Sequence, residues 1–89
     1  MNYFREQLME IFELPPEVII DAPLIMIAGK QNLHIENHKG ISFYKDDLLK
    51  IRIKEGSLVV QGNNLMIKEI NRDYIRISGK IQGIFYEKL

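Results

Sequence analysis

"LVVQGNNLMI", residues 58–67, sets two apolar runs on either side of Gln61, Gly62, Asn63 and Asn64. Glycine and asparagine tolerate the positive φ that tight reversals demand, so the stretch reads as a hairpin, one strand ending at Gln61 and the next starting at Leu65. It carries no acid, base or thiol, which makes its conformation, and not its reactivity, the informative property.

The same two-residue period continues on both sides. In "KIRIKEG" Ile51 and Ile53 point one way and Lys50, Arg52 and Lys54 the other; in "YIRISGK" Ile75 and Ile77 alternate with Arg76. Such alternation belongs to antiparallel strands with one dry face and one wet face. The predicted strands are Val18–Asp21, Leu24–Ala28, Leu33–Glu36, Ile41–Tyr44, Leu49–Ile53, Ser57–Gln61, Leu65–Ile70, Tyr74–Ser78 and Ile81–Tyr86. Turn formers separate them, among them Gly29-Lys30-Gln31-Asn32, Lys45-Asp46-Asp47, Asn71-Arg72-Asp73 and Gly79-Lys80. Two sheets of this kind packed face to face make a β-sandwich. The apolar starts at Ile25, Ile41, Leu58 and Ile75 recur at intervals of 16 or 17 residues, which also fits a short β-solenoid, although Lys45-Asp46-Asp47 makes a poor solenoid corner.

Ahead of the strands, residues 3–13 predict a helix. Phe4, Leu8, Ile11 and Phe12 recur at helical spacing, Asn2 is placed to cap it, and Pro15-Pro16 stops it. About three turns are marginal alone, so the stripe needs a surface, either its own domain or a partner. The chain thus divides into a helix over 1–14 and an all-β, mainly antiparallel domain over 15–89.

Its 89 residues hold one domain, and 46% hydrophobic with 27% charged residues is ordinary globular usage. Twelve basic and twelve acidic side chains cancel, so no overall field draws nucleic acid, and self-association is permitted. Without cysteine there are no disulfides, thiolate metal sites or cysteine nucleophile, as expected of an intracellular protein. The opening residues predict no export leader, and no apolar run is long enough to insert in a membrane.

Groups able to do chemistry are sparse. His34, Glu36 and His38 form an H-x-E-x-H pattern, yet a strand spaces such ligands widely, and a solvated strand face with His38 in a turn is the expectation. Asp46-Asp47 reads as a turn. Ser42, Ser57 and Ser78 lack a nucleophile elbow, and no phosphate loop is present. No enzyme, no metal and no cofactor is expected. The alternative function is a small β-barrel that binds single-stranded nucleic acid through Lys50, Arg52, Lys54, Arg76 and Lys80 with Tyr44, Tyr74, Phe85 and Tyr86, but acids interrupt that strip.

The ordered landmarks carry a family resemblance: Leu14-Pro15-Pro16-Glu17-Val18, Pro23, Gly29, "IENHKGI" at 35–41, "IRI" at 51–53, Gly56, "VVQGNNLMIKEI" at 59–70 and "IRISGKIQGIFYEK" at 75–88. Over essentially its full length the chain resembles the YabP/YqfC family of sporulation proteins. That resemblance implies an immunoglobulin-like β-sandwich and a non-enzymatic assembly or adaptor protein. It would be cytoplasmic, in the mother cell of a spore-forming Gram-positive bacterium, or peripheral at the membrane around the developing spore. There it would serve envelope (cortex and coat) formation through a protein partner, expected to be a membrane protein encoded in the adjacent gene. No catalytic residue carries over, and homo-oligomerisation stays open. The candidate interface is the C-terminal strand with Ile81, Ile84, Phe85 and Tyr86, followed by the helix stripe with Phe4, Leu8, Ile11 and Phe12.

Overall fold

The computed structural model describes residues 2–13, 15 and 22–88. It contains one helix, α1 (Asn2–Phe12), and six strands: β1 (Leu24–Ala28), β2 (Asn32–Glu36), β3 (Ile41–Tyr44), β4 (Leu48–Ile53), β5 (Gly56–Ile70) and β6 (Tyr74–Lys88). The expected strand Val18–Asp21, the side chain of Phe4 and Pro16 lie outside the described residues. Glu13 ends α1 in the left-handed region at φ 54°, a common way to close a helix. Ile11 and Phe12 are exposed, and α1 packs on no strand among the described residues.

All six strands join one open sheet in the order β1-β2-β6-β5-β4-β3, with every neighbour pair antiparallel. A solenoid of stacked parallel rungs is therefore not what forms. Neither does a barrel, since β1 and β3 are the two outermost strands and do not meet.

The reading of "LVVQGNNLMI" as a hairpin is corrected. Residues 56–70 are one strand, and Gly62-Asn63-Asn64 lies inside it as a bulge, with register breaks between Gln61 and Gly62 and between Asn63 and Met66. Asn64 adopts φ 55°, but a single left-handed residue bends a strand without reversing it. Tyr74–Ser78 and Ile81–Tyr86 are likewise one strand, bent at Gly79. Nonlocal hydrogen bonds decide this. The carbonyls of Asp47 and Asp46, in the β3–β4 loop, accept the amides of Gly62 (3.1 Å) and Leu65 (2.7 Å). Those of Gln31 and Lys30, in the β1–β2 loop, accept the amides of Gly79 (3.2 Å) and Ile81 (3.0 Å). Each loop thereby satisfies backbone donors that a bulge leaves unpaired, and the long strands survive their bends.

Bending divides the sheet into two arms. One holds β1, β2 and the hairpin end of β5 and β6; the other holds β3, β4 and the open end of the same two strands. Leu33 and Ile35 of β2 share one buried cluster with Leu49, Ile51 and Ile53 of β4, although β6 and β5 separate those strands in the sheet. Leu58, Val60, Leu65, Ile75 and Ile77 complete it. Each such side chain contributes about 1.5–3 kcal/mol.

Candidate functional site

Three surfaces outside the core carry the features that could do work.

Beyond Ser78, its last residue paired with β2, β6 runs on for ten residues, and only β5 pairs with that extension among the described strands. Alternation splits its side chains. Ile84 faces Val60 across the pair and Ile81 lies near Gly62, and both pack against the core. Phe85 faces Val59 on the outer surface and is 51% exposed, while Tyr86 at the rim is 70% exposed. Of the four expected contact residues on this strand, Phe85 and Tyr86 are therefore open and Ile81 and Ile84 serve the interior. On the same outer face Phe43, Lys50, Val59 and Phe85 form a row across four strands. Val59 is buried there beneath its neighbours, which explains why Leu58, Val59 and Val60 are apolar without alternation.

The outer face of the other arm holds a polar network, assembled by register. His34 pairs with Arg76 and Glu36 with Tyr74 across β2 and β6. His34 Nε2 lies 3.0 Å from Glu36, its ring is 5.1 Å from that of Tyr74, and the Arg76 guanidinium sits 5.1 Å over the Tyr74 ring. The Tyr74 hydroxyl donates to Glu69 at 2.6 Å, and Arg76 reaches the same carboxylate at 3.5 Å. Losing the phenolic proton would set two anions side by side, so the hydrogen bond to Glu69 raises the Tyr74 pKa above its ordinary 10.0; partial loss of water adds to this, while Asn71 and Arg76 oppose it. Composition hides this cluster, because Glu69 and Tyr74 meet only through the Asn71 turn, whose Oδ1 accepts the amides of Asp73 and Tyr74.

His38 is apart from it. Its Nδ1 accepts the Gly40 amide at 2.9 Å, so its Nε2 carries the proton and donates to the Asn71 carbonyl at 2.7 Å. Among the described residues no group of three or more His, Asp, Glu or Cys is placed to hold a metal ion. Two cations of the expected basic strip have acidic partners, Lys50 with Glu87 and Arg76 with Glu69, both at 3.5 Å.

Finally, a groove of about 760 Å³ runs beside the outermost strand β1, lined by Met26, Ala28, Asn32, His34, Lys68 and Arg76 and by Ile27, Leu33 and Ile77. Leu33 and Ile77 bury their side chains in the core, so they meet the groove through backbone. A single signal in the sequence pointed here: "LIMIA", residues 24–28, contains no charge.

The model of the YabP family matches residues 21–89. The uncharacterized protein YqfC of Bacillus subtilis (strain 168) is 31% identical over 85 residues, covering 96% of this chain and 91% of that protein. No solved structure matches.

Proposed function

The chain belongs to the YabP family, and from that membership we propose that it is a non-enzymatic sporulation protein that works by offering sheet surface to another protein. The observation that carries this reading is the C-terminal stretch of β6, which outruns β2 and displays Phe85 and Tyr86, 51% and 70% exposed. Strand extensions of this kind accept a further strand through their backbone, with flanking aromatics giving the contact area. In this reading the protein acts in the mother cell during formation of the spore envelope, at the surface of the membrane around the developing spore. Its partner is a membrane protein encoded in the adjacent gene. The bend of the sheet and the core shared by its two arms support reading the domain as a small immunoglobulin-like sandwich.

Affinity purification from sporulating cells tests it. Wild-type protein should retain the membrane protein of the adjacent gene, and Phe85→Asp should lose it while remaining folded. A null strain that forms spores of normal yield and envelope would overturn the sporulation role, and undiminished capture by Phe85→Asp would overturn the surface.

A further inference from the structure

We infer that β1 is a second docking edge and that its occupant is the β1 strand of another copy of this chain, paired antiparallel about a two-fold axis at Met26. The inference rests on the reading of this protein as a contact module, and it names a partner for a different part of its sheet.

The two outermost strands are not alike. β3 has four residues, breaks register between Ile41 and Phe43, and runs into Lys45-Asp46-Asp47. Short length, bulges and charge are the devices by which natural sheets discourage further pairing. β1 is one residue longer and has neither the bulge nor the charge. It is "LIMIA", without charge, in unbroken five-residue register with β2, and Ile27 is 52% exposed. Among the described residues nothing pairs with its outer side.

A second β1 fits that side. With Met26 opposite its own equivalent, Leu24 falls opposite Ala28 of the second copy and Ile25 opposite Ile27 of the second copy. Residues directly opposed in an antiparallel pair share a face. On the outer face a large side chain therefore meets a small one, twice by symmetry, and the groove of about 760 Å³ beside Ala28 provides room for the incoming Leu24. On the core face the isoleucines of both copies extend the apolar layer and cover Ile27. No charges are opposed along the strand, and a formal net charge of zero leaves no long-range repulsion between copies. A slip of one residue would turn each Ile25 and Ile27 out of the apolar layer, so the register is specified.

Sedimentation equilibrium on the full chain, from micromolar to millimolar, should show a dimer of twice 10.4 kDa. Ile27→Lys should abolish it with circular dichroism unchanged, while Phe43→Lys on the opposite edge should leave it intact. The native chain has no cysteine, so Met26→Cys introduces a single thiol. Opposed Cα atoms about 4.5–5.5 Å apart lie within disulfide reach, and mild oxidation should yield a covalent dimer from Met26→Cys and none from Phe85→Cys. A monomer throughout, a dimer that survives Ile27→Lys, or cross-linking through Phe85→Cys would each overturn the inference. A monomeric chain that still captures its membrane partner would overturn this inference alone; an intact dimer that captures nothing would overturn only the proposed function.

Discussion

The backbone of Gly79 lies against the carbonyl of Asn64 so closely that a side-chain carbon at position 79 would stand 2.6 Å from that oxygen. Gly79 also sits at φ 128°, a conformation side chains rarely adopt. These two residues mark the place where β5 and β6 bend together, so the shape of the whole sheet depends on a missing methyl group.

Gly79→Ala should therefore destabilise the protein by about 2–3 kcal/mol, strain and clash combined. Gly29→Ala, at φ 64° with open space around it, should cost only about 1 kcal/mol. Urea unfolding of the two variants checks the contrast. Equal midpoints would show that the bend tolerates a side chain.

Ile84 and Phe85 are adjacent yet belong to opposite faces. Ile84→Asp puts a carboxylate against the core cluster and should unfold the chain or lower its stability by about 3 kcal/mol or more. Phe85→Asp, on the outer face, should change stability by about 1 kcal/mol or less. Thermal melts followed by circular dichroism separate them, and for this reason Phe85 alone is the residue to alter in a binding assay.

Ile51, fully buried in β4, and Ile75, fully buried in β6, share one cluster across the bend. Truncating either to alanine should cost about 2–5 kcal/mol. If the arms truly close on one core, the double variant should lose less than the two single losses added together, because the two sites then share a cavity. Strict additivity would place the two isoleucines in independent layers.

Tyr74 supplies a pH signature. Its folded pKa is raised above the ordinary 10.0, chiefly by the hydrogen bond to Glu69. The folded state then holds the phenolic proton more tightly than the unfolded chain does. The stabilisation is complete below pH 10.0 and is lost as pH rises through the folded value. Difference absorbance between wild type and Tyr74→Phe should place the phenol above its ordinary value, and Glu69→Gln should bring it back down. A Tyr74 that titrates identically with and without the Glu69 carboxylate would refute the contact.

Much of the fold was legible in short-range pattern. Ile51 and Ile53 against Arg52, and Ile75 and Ile77 against Arg76, are buried and exposed as their alternation requires, with Lys50 half-buried. Leu58 to Val60 broke the pattern, because Val59 is covered on the outer face by side chains from neighbouring strands. The polar cluster at Tyr74 and the bare edge at β1 are not legible in the sequence for a related reason: each is defined by which strands lie alongside, and Glu69, Arg76 and His34 carry no mark of their meeting.

By itself, then, the amino-acid sequence determined the strand-rich character of residues 24–88, the faces of most strands, the short helix before them and the family, since alternation, turn residues and ordered landmarks are properties of neighbouring positions. Only tertiary structure decided whether Gly62-Asn63-Asn64 and Gly79-Lys80 turn the chain back or merely bend it. Glycine and asparagine as residue types suit either outcome. The choice falls to the carbonyls of Asp46 and Asp47 for one strand and of Lys30 and Gln31 for the other, which arrive from distant loops and satisfy the bulged amides, so that one bent sheet forms where two extra hairpins were equally compatible with the local chemistry.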